Sequence, residues 1–161
     1  MAENNLENSM TPAEIDALTP EQLRIEVAVQ VMGWRWMKYP APNMSDGTKL
    51  TGLYPPDAPG RWPCANHYYR IWEISDALAP RFSDWMEGVV WWDDDGAIHH
   101  RGLPDYPNDI ASAWTVVDKF NADDDDGLFE ELTNEIPLVG MTAQDAANAI
   151  CLAALKAICV L

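Results

Sequence analysis

Gly88-Val89-Val90-Trp91-Trp92-Asp93-Asp94-Asp95-Gly96-Ala97-Ile98-His99-His100-Arg101 reads as a β-hairpin, with two runs of β-forming residues joined through an Asp-Gly turn. Strands joined this closely pair antiparallel. The helical patterns that flank them then make the chain a mixed α/β protein. Trp91 and Trp92 are neighbours on a strand, so their side chains point to opposite faces of the sheet. If helices cover both faces, both rings are core. If they do not, one ring stands outside, suited to a protein interface or to stacking on a base.

Downstream of the hairpin, Asn108 or Asp109 is placed to cap a helix. Ile110, Ala113, Trp114, Val117 and Phe120 form its apolar stripe, and Ser112, Asp118 and Lys119 face water. Asp123, Asp124, Asp125 and Asp126 with Gly127 end it in an acidic tip. Phe129 and Leu132 anchor the connection, Ile136-Pro137-Leu138-Val139 is compatible with a short strand, and Thr142 caps a last helix. That helix carries Ala146, Ala147, Ala149, Ile150, Ala153, Ala154 and Ala157, small enough to let it lie very close to a neighbour. Its end, Cys159-Val160-Leu161, offers a seam for a homodimer.

Upstream, Tyr68 to Ile74 suits a strand but also permits a helical turn. Ser75 to Met86 is either a helix interrupted by Pro80 or the entry to a strand. Residues 39–63 are broken repeatedly by Pro and Gly and read as a long loop, either a surface insertion held by Trp62 or a cover for a ligand. Thr11-Pro12-Ala13-Glu14 and Thr19-Pro20-Glu21-Gln22 each place a capping hydroxyl, a first-turn proline and a carboxyl or amide at the third helical position. The second opens a helix from about Pro20 to Met32, with Leu23, Val27, Val31 and Trp34 recurring and Gly33 placed to stop it. Residues 1–10 are polar and unpatterned and are expected to form a disordered arm before a single domain over 11–161.

Charge narrows the function classes. The 161 residues carry a formal net charge of −16, and between Glu73 and Glu135 seventeen Asp and Glu face only Arg81, Arg101 and Lys119. Such a field repels nucleic acid and attracts basic protein surfaces, and it can imitate a phosphate backbone for a protein that grips DNA or RNA. No apolar run approaches the roughly 18 residues of a membrane span, and the N-terminus lacks signal-peptide character. Cys64, Cys151 and Cys159 form no CxxC pair and suit a reducing compartment. Cys151 and Cys159 fit as core residues of the last helix. A cytoplasmic protein is expected.

No G-x-S-x-G elbow, phosphate-binding Gly-Lys-Ser loop or His-Glu-x-x-His helix is present, so no enzyme is expected. Cys64, His67, His99 and His100 include zinc-ligating residue types, but adjacent histidines on a strand face apart, so only one of that pair could join a site. Surface histidines on a hairpin are the alternative. The two Asp runs lack the bidentate Glu at the twelfth place of a calcium loop. No cofactor or metal is expected.

Leu103-Pro104-Asp105-Tyr106-Pro107-Asn108-Asp109-Ile110-Ala111-Ser112-Ala113-Trp114, followed by Ala149-Ile150-Cys151-Leu152-Ala153-Ala154-Leu155-Lys156-Ala157, resembles the phage ABA sandwich domain family. Leu18-Thr19-Pro20-Glu21 and Gly33-Trp34 are similar to the family's opening helix, so the resemblance runs from about Thr19 to the C-terminus. Pro107 stands where members often carry a small polar residue. The resemblance implies a three-layer α/β/α sandwich with a small sheet containing the hairpin and helices on both faces, encoded by a phage or prophage, and it implies no enzymatic activity.

Two function classes follow. In the first, the chain is a non-enzymatic inhibitor of a host antiphage defence machine such as a CRISPR effector, acting in the cytoplasm of the infected cell. Asp84, Glu87, Asp93, Asp94, Asp95, Asp105, Asp123 to Asp126, Glu130 and Glu131 would occupy a basic nucleic-acid channel of the partner, with no direct nucleic-acid or membrane binding. In the second, Arg61, Trp62, Tyr69, Trp92, Arg101 and Tyr106 line a pocket that sequesters a small nucleotide messenger. A phage accessory or structural protein, acidic for solubility alone, is a third reading.

Overall fold

Both threonine caps form as the sequence predicts. In the computed structural model, Thr11 Oγ1 accepts from the Glu14 backbone N–H at 3.3 Å while Glu14 Oε2 accepts from Thr11 N at 2.7 Å, opening α1 (Pro12–Asp16). Thr19 and Gln22 exchange the same pair at 3.2 and 3.0 Å, opening α2 (Pro20–Glu26). Each box satisfies two N–H groups that a helix start would leave orphaned. The structure describes residues 10–40, 49–58, 61–64, 67–70, 72–73, 89–92, 98–123, 127, 130, 133–134, 136 and 140–159.

The chain divides into two compact units, Met1–Met32 with Pro104–Leu161, and Gly33–Leu103. In the first, α2 runs on as a π-helical turn (Val27–Val31), closed by Met32 N donating to Val27 O at 3.0 Å. Gly33 follows at φ 76°, the left-handed conformation that ends a helix and favours glycine. The helix expected to Met32 is thus present, but its last turn is wider than α-helical. Valines at 27, 29 and 31 lose side-chain freedom in a tight α-turn, which lowers the preference for that geometry. Trp34 lies beyond the helix and is buried there rather than continuing the helical stripe.

Two long helices complete this unit, α3 (Ile110–Asp123) and α4 (Ala143–Cys159). Asp109 caps α3, its Oδ2 accepting from Ser112 N at 3.1 Å and Ser112 Oγ at 2.6 Å. Asn108 instead ties the two helix starts together, accepting from Gln144 Nε2 at 2.8 Å. Pro107 is fully buried within the turn before α3, where Asn108 N and Asp109 N both donate to Asp105 O. Thr142 Oγ1 caps α4 by accepting from Asp145 N at 3.1 Å.

α4 packs against α1, α2, the π turn and α3. Ala147, Ile150, Cys151, Ala153, Ala154 and Leu155 are all buried, an arc of about 200° at 100° per residue. The small side chains admit this close surround. On α3 the buried residues are Ala113, Val116 and Phe120, while Trp114 is 56% exposed. The stripe expected through Trp114 is therefore rotated towards Val116. Trp114 sits at its edge, about 100° on from Ala113. Lys156 Nζ meets Asp16 Oδ1 at 2.7 Å, and Arg24 Nε donates to Pro104 O at 3.1 Å.

The second unit is built of strands. β1 (Arg35–Pro40) pairs antiparallel with β2 (Lys49–Tyr54) and with β5 (Trp72–Glu73). β3 (Arg61–Cys64) pairs with β4 (His67–Arg70), and β6 (Val89–Trp92) with β7 (Ile98–Arg101). The hairpin expectation holds, with Trp91 opposite His99 and Trp92 opposite Ile98; its turn lies outside the described residues. The segment 39–63, read as one loop, instead contains β2, β3 and the end of β1. Its prolines are compatible with this, because Pro40 closes β1 and Pro63 lies on a two-stranded ladder, where edge positions tolerate a missing N–H. Of the stretch Tyr68 to Ile74, residues 68–70 lie on β4 and 72–73 on β5, and Ile71 and Ile74 lie outside the described residues.

Consecutive residues Trp36 and Met37 are 4% and 3% exposed. Neighbours on a strand point opposite ways, so both faces of β1 are covered. Leu53 and Tyr54 on β2 are buried in the same alternating fashion. Of the short strand expected at Ile136 to Val139, Ile136 stands in a bend, its N donating to Thr133 O at 3.1 Å, and 137–139 lie outside the described residues, as do residues 1–9, the stretch 74–88, Phe129 and Leu132.

Candidate functional site

Of the acidic group, the structure describes the side chains of Asp105 and Glu130, both exposed. Asp105 stands in the turn before α3, where its Oδ1 accepts from Asn108 Nδ2 at 2.9 Å. Asp123 is the last residue of α3. Asp84, Glu87, Asp93, Asp94, Asp95, Asp124, Asp125, Asp126 and Glu131 lie outside the described residues.

Further exposed carboxylates, absent from the group chosen on sequence, accompany these: Asp109 at the cap of α3, Asp118 within α3, and Asp145 in the first turn of α4. Asp109 is held below the usual carboxylate range, first by the Ser112 hydroxyl and then by the Ser112 backbone N–H. Glu14 is lowered likewise by the Thr11 backbone N–H and hydroxyl. A depressed folded value contributes stability above the unfolded pKa that is lost as pH falls through the folded one. These carboxylates thus stay ionised under mildly acidic conditions, and the capping geometry, legible as Thr-Pro-x-Glu and Asp-x-x-Ser, is what holds them so.

The aromatic and basic group divides. Arg61 and Trp62 lie on β3, Tyr69 on β4, Trp92 on β6 and Arg101 on β7, with β3 beside β6. The register sets Trp62 opposite Tyr69 and Arg61 opposite Arg70. Arg70 was not among the residues singled out on sequence, because cross-strand register cannot be read from spacing alone. Arg101 Nη2 is 3.7 Å from Asp57 Oδ2 in a water-exposed pair, of a kind worth little. Tyr106 belongs to the first unit and is 2% exposed, so it is a core residue there and presents no ring to a ligand.

Cys64 pairs with His67 across β3 and β4, and His99 and His100 lie on β7. Among the described residues no group of three or more His, Cys, Asp or Glu side chains is placed to hold a metal ion. Cys151 is buried in α4, and burial pushes its thiol up to about 12, with the Asp105 charge adding to the shift. A thiol raised in this way is protonated and unreactive at neutral pH. In a C64S/C159S variant, Cys151 is expected to resist a thiol-reactive disulfide reagent at pH 8 until denaturant is added; modification of the native protein within minutes would contradict the packing of α4. The sign for stability is that the contribution is full below the unfolded thiol pKa and is lost as pH rises towards the folded value.

Among the described residues no helix is long and apolar enough to cross a membrane. A family model described as the phage ABA sandwich domain matches residues 26–155, well over half of the chain. No curated protein and no solved structure matches it.

Proposed function

The chain is a phage protein that belongs to the phage ABA sandwich domain family, and on that premise we propose that it is a non-enzymatic binding protein that disables a host antiphage defence machine by filling a basic nucleic-acid channel. The observation that carries this reading is the concentration of seventeen acidic residues against three basic ones between Glu73 and Glu135. The exposure of Asp105, Asp109, Asp118 and Glu130 supports it, since charges held in water remain available to a partner. A three-layer α/β/α arrangement is part of the same proposal, supported by the coverage of both faces of β1.

The test is an electrophoretic-mobility assay in which candidate defence nucleases bind labelled DNA. Adding the protein is expected to release the DNA, and raising salt is expected to weaken the release, because screening acts on exposed charges. Release that is indifferent to salt, or absent across nucleases with basic channels, counts against the reading.

A second reading, sequestration of a small anionic nucleotide, is favoured by the register that opposes Arg61 to Arg70, the Trp62 and Tyr69 pair being one position on and so on the other face of the ladder. Like charges directly opposed weaken a ladder, and a bound phosphate between them would offset that. Native mass spectrometry of protein from infected cells distinguishes the two: a retained nucleotide mass supports sequestration, and an empty chain argues against it.

A further inference from the structure

Trp114 and Ile158 are the large apolar side chains left exposed among the described residues, and Trp114 is the larger and the more exposed, at 56%. It stands in the first half of α3, flanked at helical spacing by exposed Ala111 and Asp118. Asp118 lies one turn further along the same side. At the start of the helix stand Asp105 and Asp109, both exposed, but Asp109 is five residues before Trp114 and so about 140° round the axis from it, which leaves Asp118 as the carboxylate beside the ring. Lys119 is the one basic residue of α3, and it is turned about 140° away from Trp114 around the helix axis. The exposed edge of α3 therefore offers an indole with a carboxylate one turn further on, bordered by the half-buried Ile110 and Val117 at the i−4 and i+3 positions.

We propose that this side of α3 is a docking face for an arginine-bearing protein segment, with a guanidinium laid on the Trp114 ring and a second one paired with Asp118. The inference rests on the acidic-binding reading and locates one anchor for it. An indole is the strongest aromatic partner for a cation, and a guanidinium stacks on it while still donating hydrogen bonds to a carboxylate. A basic occupant is chosen over a second copy of this chain because the net charge of −16 sets two copies against each other, whereas a basic segment gains from the same charge.

The probe is a short labelled peptide alternating arginine with alanine, alongside versions carrying lysine or glutamine in place of arginine, titrated at low and physiological salt. The arginine peptide is expected to bind the wild-type chain, the lysine peptide several-fold more weakly, and the glutamine peptide not at all. Trp114→Ala is expected to weaken the arginine peptide about tenfold, Trp114→Phe less, and Asp118→Asn several-fold. Exposed Trp114 makes its loss nearly neutral for folding, so unchanged circular dichroism and thermal unfolding are expected of the variants. Salt-sensitive binding of the arginine peptide that is indifferent to Trp114→Ala overturns the docking face while leaving the acidic-binding reading intact. No binding of the peptide to the wild-type chain overturns both. Sedimentation showing a wild-type dimer that Trp114→Ala dissociates assigns the face to a second copy and overturns the proposal.

Discussion

Leu155→Ala is expected to lower the stability of the first unit by about 3 kcal/mol, the middle of the range for a fully buried Leu that leaves a cavity. In a chain of this length that corresponds to a fall in midpoint of roughly 6 to 12 °C by thermal circular dichroism. Leu155 has no exposed surface, and it lies on the helix that α1, α2, the π turn and α3 all pack against. Its neighbours Ala147, Cys151 and Ala154 are small and equally buried, so none can swing in to fill the space. α4 is also fixed near both ends, by Gln144 to Asn108 and by Lys156 to Asp16, which limits its freedom to slide inward. Relaxation is what reduces the cost of such truncations, and here little of it is open. Trp114→Ala, on the exposed side of α3, provides the contrast and should move the midpoint by little. A Leu155→Ala midpoint within 2 °C of the parent would mean that α4 is not the packed centre of its unit.

The parts of this fold that were legible in the sequence are those fixed by local chemistry. Thr11, Thr19, Asp109 and Thr142 act on N–H groups three residues away, so their roles are written in the spacing itself. The hairpin from Val89 to Arg101 is local in the same sense. What was not legible depends on partners distant in the chain. Nothing between Lys49 and Cys64 states that β2 and β3 will find ladders, because a proline-punctuated segment becomes strand only when another strand accepts it. Trp114 fits the apolar spacing of α3, and only the placement of α4 decides that Val116, not Trp114, turns inward. Nor does any shift of composition mark the division that places Gly33–Leu103 between the two halves of the first unit. For the site, the exposure of Asp105 and Glu130 agrees with their acidity, whereas Tyr106 was chosen for its chemistry and is spent on the core.

Reversing Asp93, Asp94, Asp95 and Asp123 to Asp126 to lysine is expected to abolish the release of DNA from a defence nuclease. Each exchange moves the net charge by two, so seven of them take the chain from −16 to −2 and replace the acidic middle with a mixed one. Steering by a strong opposite charge raises association rates on the order of 10- to 1,000-fold, and like charges brought together at an interface cost several kcal/mol more. The combined loss is therefore expected to exceed about 100-fold in the concentration of protein needed for half-release, near 2.7 kcal/mol. Neutralising the same seven positions to asparagine should give an intermediate loss, because it removes attraction without adding repulsion. That gradation separates charge from shape: a purely steric inhibitor would respond to asparagine and lysine alike. It also separates the acidic runs from Trp114, because mutations that act at separate positions without shared partners add in free energy. If the lysine variant still releases DNA at the parent concentration, the acidic runs are solvated turns and the target is met elsewhere on the chain.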